Sequence, residues 1–266
     1  MGVAAWWPEL DAELEAALAR ISAEDRSVVV LFSGGVDSGL LAWECGRRGQ
    51  PTLFTVGVDP APDLRAAAEG AGALGLPWSG RRFEEAELER IVREVSDELA
   101  AVGPPRRGIF LALAAAAATA PPGVLLCGQG ADELFLGYAH YRPLTRERAS
   151  ERAMSDLRAL VDTDWPRTVR LAQRFHREIR APYLAPGFLR VAGRIPIDER
   201  LPGEQPKAAF RRWARHRGLP ALLADRPKRA LQYGSGFDRW LRRRARATGP
   251  GSPPRPGAPA ATKGCP

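Results

Sequence analysis

Residues 27–38 read SVVVLFSGGVDS, a run of branched apolar residues that leads directly into a glycine-rich turn. The apolar run over residues 27–32 is typical of a strand buried on both faces, as parallel sheets require. Residues 38–49 return to a helix-forming composition, and residues 52–58, TLFTVGV, predict a second strand. Strand, helix and strand in this order predict a βαβ unit, which places the chain in the α/β class.

The pattern outside this unit extends the same architecture. Apolar residues at helical spacing predict further helices, and residues 124–128, VLLCG, predict another buried strand. Strands become scarce after about residue 146. The predicted helices cover residues 8–21, 62–74, 84–102, 108–119, 146–161, 165–180, 186–193, 204–217 and 236–246. We therefore expect an α/β fold, a doubly wound parallel sheet with a helical C-terminal half.

The predicted elements divide the chain into four parts. Residues 1–26 form an N-terminal helix, residues 27–145 an α/β core, and residues 146–246 a helical region that closes over that core. Residues 247–266 contain six Pro and four Gly without a periodic apolar face, so we expect this tail to be disordered.

Positive charge is concentrated near the C-terminus. The chain of 266 residues has a formal net charge of +8, but seven of its 39 Lys and Arg residues and none of its acids follow position 238. Residues 1–238 therefore carry a net charge of only +1. A nearly neutral body argues against a dedicated nucleic-acid-binding domain.

The sequence predicts neither a membrane span nor a secretory signal. The longest apolar stretch, residues 109–122, is mostly alanine and shorter than the roughly 20 apolar residues that a spanning helix needs. The N-terminal residues lack a basic segment and turn acidic within a dozen positions. We expect a cytoplasmic protein that does not engage membranes.

The turn SGGVDS, residues 33–38, has the composition of an anion-binding loop. Two successive glycines permit a tight turn that presents backbone amides, and the following helix directs the positive end of its dipole to the same place. The hydroxyls of Ser33 and Ser38 add donors. Asp37 would repel a phosphate unless a magnesium ion lay between them. The turn lacks the Lys of a Walker loop, which argues against a kinase or an ATPase.

Two later segments carry further candidate residues. GQGADELFLGY, residues 128–138, follows the predicted strand at 124–128, so Asp132 and Glu133 should lie at the carboxyl edge of the sheet, beside SGGVDS. Two carboxylates there could hold a divalent cation against a triphosphate. RPKRALQYGSG, residues 226–236, contains Lys228, one of only three lysines. A lysine retained among so many arginines suggests a crowded anion site, where a compact ammonium fits better than a guanidinium.

These three segments resemble motifs of one known family. SGGVDS resembles the pyrophosphate loop of the ATP pyrophosphatase (PP-loop) superfamily, whose members cleave ATP between the α and β phosphates to adenylate a substrate. GQGADELFLGY is similar to the GEGSDE(x)FGGY motif of the asparagine synthase family, and RPKRALQYGSG to its RxKxxF(x)xGxG segment. The resemblance covers about residues 27–240 in the same motif order. It implies an adenine nucleotide alpha hydrolase-like fold and an ATP-dependent ligase that forms amides.

The resemblance also implies roles for individual residues. Pyrophosphate would be held by the serines and glycines of SGGVDS, adenine would contact Val58, and the α-phosphate would contact Lys228. The implied ATP-binding residues are Ser33, Gly34, Gly35, Asp37, Ser38, Val58, Gly128 and Gly130. The implied ligands of Mg²⁺ are Asp37 and Asp132, and the implied catalytic residues are Lys228, Asp132, Glu133 and Gln129. Lys207 and Arg211 resemble a K(xxx)R helix of the family, or form a solvated face.

The chain departs from the family at positions that concern the substrates. Gln129 replaces the glutamate thought to help deprotonate ammonia, and a neutral amide cannot act as that base. The family's PFLD reads PYLA at residues 182–185, so Ala185 replaces an aspartate. Gly2 stands where a glutaminase domain would have its catalytic cysteine. We therefore expect nitrogen from free ammonia, another amine or a separate glutaminase subunit.

Three functions stay open at this point. The first is an amide ligase that adenylates a small carboxylate, most simply aspartate. The second is a PP-loop enzyme that modifies tRNA and uses the arginines of residues 239–246 as an anchor. The third is a degenerate nucleotide-binding regulator, suggested by Gln129 and Ala185.

Overall fold

The computed structural model describes residues 4–22, 26–59, 61–201, 205–227 and 235–248. The predicted tail at residues 247–266 lies almost wholly outside the described residues, as does Lys228.

A five-stranded parallel sheet organises the molecule. Its strands are β1 (Val28–Leu31), β2 (Thr52–Gly57), β3 (Trp78–Arg82), β4 (Val124–Leu126) and β5 (Ile179–Arg180). They lie in the order β3-β2-β1-β4-β5, and each neighbouring pair is parallel. The predicted parallel α/β sheet is confirmed.

The middle of the sheet is largely buried on both faces, because β1 and β4 consist entirely of apolar residues. Val30 and Leu53 pair in register and belong to one apolar cluster, whereas their neighbours Val29 and Phe54 belong to the other. This alternation follows from the two-residue period of a strand. Two separate cores, one on each face, make the sheet doubly wound.

Helices cover both faces. They are α1 (Trp7–Ser22), α2 (Val36–Gly46), α3 (Pro62–Leu74), α4 (Glu85–Glu94), α5 (Ser96–Ala100), α6 (Pro104–Thr119), α7 (Ala131–Leu134), α8 (Arg146–Ala159), α9 (Trp165–Arg174), α10 (Pro186–Arg194), α11 (Ile197–Arg200), α12 (Ala208–His216), α13 (Ala221–Ala224) and α14 (Phe237–Thr248). The first core is covered by α1, α2, α10 and α12, and the second by α4, α6, α9 and α14.

The strand order places the candidate loops side by side. Strand β1 lies between β2 and β4 in the sheet, and the chain passes from β1 to β2 first. The loops that follow β1 and β4 therefore leave the carboxyl edge next to each other, at the place where open α/β sheets bind ligands.

The structure corrects several predicted boundaries. The helix predicted over residues 165–180 ends at Arg174, and Ile179–Arg180 instead forms the edge strand β5. The helix predicted over residues 84–102 is divided into α4 and α5, and α8 passes into a π-helical turn, Leu160–Asp164. Strand β3 is new. It carries four exposed residues of five, so no apolar pattern revealed it, and pairing with β2 stabilises it.

No helix among the described residues is long and apolar enough to span a bilayer.

Candidate active site

The turn after β1 has the geometry of an anion-binding loop. Gly34 has a positive φ of 72°, and a Cβ there would lie 2.6 Å from the carbonyl oxygen of Ala66. The Ser33 and Ser38 hydroxyls lie 3.3 Å apart, and the amide of Gly35 donates to the Ser33 hydroxyl at 3.3 Å. Helix α2 begins at Val36, so its first amides point toward the same crevice.

The turn after β4 touches the first loop. A Cβ at Gly128 would lie 3.0 Å from the Asp37 Cβ and 3.4 Å from the Ser38 amide nitrogen. Gly130 has a φ of 99° and initiates α7, which carries Asp132 and Glu133. The two glycines thus let one loop approach the other and then turn sharply into a helix.

Lys207 joins the two loops. Its ammonium lies 2.5 Å from Asp37 Oδ2 and 2.7 Å from Asp132 Oδ1, and the whole residue is 1% exposed. Burial alone would lower the pKa of Lys207, but the two carboxylates outweigh burial and hold the pKa above its usual value. Lys207 is therefore charged and ties together the two acids that the sequence indicated as metal ligands.

Glu133 is buried beside this pair. The Tyr138 hydroxyl donates a hydrogen bond of 2.7 Å to Glu133 Oε1. Burial, followed by the negative charge of Asp132, raises the pKa of Glu133 to about 7. Burial and the charge of Glu133 likewise raise the pKa of Tyr138, which keeps its phenol protonated as a donor.

The two loops open into one cavity of about 1270 Å³. Eleven residues that the sequence indicated line it: Ser33, Gly35, Asp37, Ser38, Gly128, Gln129, Gly130, Asp132, Glu133, Lys207 and Arg211. Gly34 and Val58 do not line the cavity. Val58 is buried in the second core, and its amide donates to the carbonyl of Ser235. Lys228 lies outside the described residues.

The sequence did not indicate several other residues that line the cavity. Helix α6 contributes Ile109, Phe110 and Leu113 to one wall. The lining also includes His140 and Asp156, whose side chains lie 2.9 Å apart. The residues on α6 read as an ordinary buried helix face, and only the folded chain shows that this face opens into the cavity.

The PYLA segment contributes a contact that its sequence did not signal. The buried Tyr183 hydroxyl donates a hydrogen bond of 2.8 Å to the carbonyl oxygen of Asp37. Ala185, by contrast, lines a separate small hollow that also includes Glu13 and Arg190.

The pair of acids suits a divalent cation that arrives with other ligands. Asp37 Oδ1 is buried and has no hydrogen-bond partner, so one oxygen of this carboxylate is left without a donor. Within the described ranges, no three His, Cys, Asp or Glu side chains converge as a metal cage. Mg²⁺ commonly takes one or two carboxylates and fills its remaining positions with phosphate and water. Asp37 and Asp132 fit that mode of binding.

The chain is similar in sequence to proteins of one known family. The family model "Asparagine synthase" matches residues 9–174 and 141–250. Asparagine synthetase B (glutamine-hydrolyzing) of Escherichia coli strain K12 is 28% identical over 232 residues, 80% of this chain and 42% of that protein. The glutamine-hydrolyzing asparagine synthetase of Bos taurus is 27% identical over 234 residues, 82% of this chain and 42% of that protein.

The chain spans half or less of the length of these curated relatives. Among solved structures, an NH3-dependent NAD synthetase of Campylobacter jejuni aligns with a TM-score of 0.36 at 18% identity, over 65% of this chain and 94% of that one. The family match extends over most of the chain and includes all three motifs. The chain belongs to the asparagine synthase family.

Proposed function

We propose that this chain is an ATP-dependent amide ligase that adenylates a carboxylate, most simply that of aspartate, and transfers ammonia or another amine to it. Family membership supports an ATP-dependent ligase. The observation that carries the proposal is the close approach of the two loops. Gly128 lies against Asp37 and Ser38, and all three residues line one cavity.

The first step would be attack of a substrate carboxylate oxygen on the α-phosphorus of ATP. A bond from that oxygen to phosphorus forms while the bond to the bridging oxygen breaks, and pyrophosphate leaves. Ser33, Gly35 and the N-terminal amides of α2 would hold the departing pyrophosphate. Lys228 would balance the charge that develops on the α-phosphate. Mg²⁺ held by Asp37 and Asp132 would supply further charge neutralisation when bound.

The second step would be attack of an amine on the acyl carbon of the adenylate. A carbon–nitrogen bond forms, the bond between the acyl carbon and the AMP oxygen breaks, and the amine gives up a proton to water or to the departing phosphate. Gln129 lines the cavity but is a neutral amide, so its part would be to orient a substrate by hydrogen bonds. Glu133, fixed by the Tyr138 hydroxyl, would complete the polar wall beside it. The amine could come from free ammonia or from a separate glutaminase subunit.

The products of ATP test this proposal. With ATP, magnesium, aspartate and ammonium, we expect AMP, pyrophosphate and an amide in equal amounts, measured by phosphorus NMR and chromatography. A screen of other carboxylates by pyrophosphate exchange follows if aspartate is inactive. Lys228→Ala should lower turnover by about 100-fold or more, because it removes a charge that stabilises the transition state. Lys263→Ala is the matched control, and formation of ADP would contradict the proposal.

A further inference from the structure

Lys207 lies where a bridging cation would otherwise be needed. The ammonium contacts Asp37 Oδ2 and Asp132 Oδ1 at the same time, at 2.5 Å and 2.7 Å. Without it, two carboxylates from different loops would face one another at the rim of the cavity. Like charges held this close are costly unless a cation separates them.

The position of Lys207 is specified by its surroundings. The residue precedes α12 in the left-handed region, with φ of 59° and ψ of 36°, a conformation that costs a non-glycine residue about 1 kcal/mol or more. A Cβ at Gly137 would lie 2.2 Å from Lys207 Cε and 1.9 Å from Asp132 Oδ1. The absence of a side chain at Gly137 is therefore what lets the lysine reach the acids.

The neighbouring cation does not duplicate this contact. Arg211 lies one turn along α12, but its guanidinium donates to the carbonyl oxygens of Pro206 and Ala224. Lys207 is thus the positive side chain that directly joins both acids among the described residues.

A divalent cation alone would meet opposition at this site. The ion would have to approach both carboxylates while the Lys207 ammonium remains within about 3 Å of their oxygens. At such short range the two positive charges repel strongly. A nucleotide changes this balance, because its phosphates provide a new partner for the ammonium and further ligands for the metal. Asp37 Oδ1, which has no hydrogen-bond partner, is then available to the arriving ion.

We propose that Lys207 is a placeholder cation, which neutralises Asp37 and Asp132 in the nucleotide-free chain and shifts to the phosphates when nucleotide and metal enter together. Divalent metal then binds only in company with nucleotide. The inference rests on the proposed function solely for the nucleotide site, since it requires no turnover.

Binding of Mn²⁺ in the absence of nucleotide tests this role. Free Mn²⁺ is followed by electron paramagnetic resonance during titration of the intact chain, and no tight binding is expected. Lys207→Met removes the charge but keeps a long apolar stem. We expect this variant to bind one Mn²⁺ with a dissociation constant at least about tenfold lower than that of the unmodified chain.

Thermal unfolding gives a second readout. Lys207→Met should melt at a lower temperature than the unmodified chain and recover when Mn²⁺ or Mg²⁺ is added, because an ion that binds only the folded state stabilises it. The double variant Lys207→Met with Asp132→Asn is the matched control and should show neither metal binding nor recovery.

Two results would overturn the proposal. One is tight binding of Mn²⁺ by the unmodified chain without nucleotide, a measurement that does not depend on any variant folding. The other is a folded Lys207→Met chain that gains no affinity for the ion. A failure of amide synthesis would leave both measurements intact, so the proposed function and the role of Lys207 are tested separately.

Discussion

Arg226 donates a hydrogen bond to the carbonyl oxygen of Gly34, which lies 192 positions earlier in the chain, at 3.3 Å. The same guanidinium reaches the carbonyl of Ala66 at 2.5 Å and the carboxylate of Glu69 at 2.8 Å. In a trans peptide the carbonyl and the following amide point in opposite directions. By fixing the Gly34 carbonyl, Arg226 therefore orients the Gly35 amide toward the Ser33 hydroxyl and the crevice.

Replacing Arg226 with lysine should weaken nucleotide binding. A single ammonium cannot span two carbonyls and a carboxylate as a guanidinium does, so the loop would lose part of its support. We expect the affinity for a non-hydrolysable ATP analogue to fall about tenfold, equivalent to about 1.4 kcal/mol, measured by calorimetry. Arg215→Lys, at an exposed pair with Asp225, is the control and should change little. Equal affinities for the two variants would refute the supporting role of Arg226.

Gly34→Ala tests the loop conformation itself. The positive φ disfavours any side chain, and the new Cβ would collide with the Ala66 carbonyl. We expect a loss of about 1–3 kcal/mol in the free energy of unfolding and weaker binding of the ATP analogue. Gly49→Ala is the control, because a Cβ there meets nothing within 4 Å. If Gly34→Ala bound the analogue as well as Gly49→Ala does, the turn would not be an anion-binding loop.

The parts of the structure that were predictable from sequence are those encoded by local patterns. The apolar run at residues 27–32 is typical of a strand in the interior of a parallel sheet, so it identified the central strand β1. Strand β3 had no such pattern, because its exposed residues are held by backbone pairing with β2. Strand β5 is two residues long, shorter than any periodicity can reveal.

The site shows the same division. Glycine-rich turns after buried strands located the two loops, because the conformations they adopt require glycine. The bridge from Lys207 was not predictable, since it depends on how α12 lies against two loops more than 70 positions away. The support from Arg226 and the hydrogen bond from Tyr183 likewise arise between distant segments. Sequence indicated which residues could act, and tertiary packing decided which of them meet.

Leu136 occupies a position where the FGGY motif has glycine, and it adopts a φ of 52°. The side chain is fully buried against Tyr141, Ala149 and Ala153. Its strain costs about 1–2 kcal/mol, whereas truncating a buried leucine costs about 3–5 kcal/mol. Burial therefore prevails, and both Leu136→Ala and Leu136→Gly should be less stable than the unmodified chain.

The order of these two variants is the informative result. At most positions a protein with alanine is more stable than one with glycine. At a positive φ, however, alanine retains the backbone strain and glycine relieves it. We expect Leu136→Gly to exceed Leu136→Ala by about 1 kcal/mol in urea denaturation. The opposite order would mean that the left-handed conformation at residue 136 is not under strain.

Glu44 and Arg217 form a buried ion pair at 2.7 Å that ties the end of α2 to the end of α12. The other ends of the same helices are joined through Asp37 and Lys207. Burial by itself raises the pKa of Glu44, but hydrogen bonds and charges from Arg217 and Arg48 outweigh burial and hold the pKa below its usual value. Two ion pairs thus fix α12 against the helix that follows the first loop.

Glu44→Gln should destabilise the chain in a pH-dependent way. Removing one partner of a buried pair costs about 3 kcal/mol at neutral pH. Because the folded pKa lies below the unfolded value, the stabilisation from Glu44 is present above about pH 4.5 and is lost as the pH falls through the folded pKa. Denaturant titrations between pH 7 and pH 3 should therefore show the two chains converging in stability as acid is added.

Asp198→Asn, which breaks an exposed pair with Arg146, should cost less than about 1 kcal/mol at any of these pH values. A constant difference between Glu44→Gln and the unmodified chain down to pH 3 would show that Glu44 acts through packing alone, since packing does not respond to its protonation.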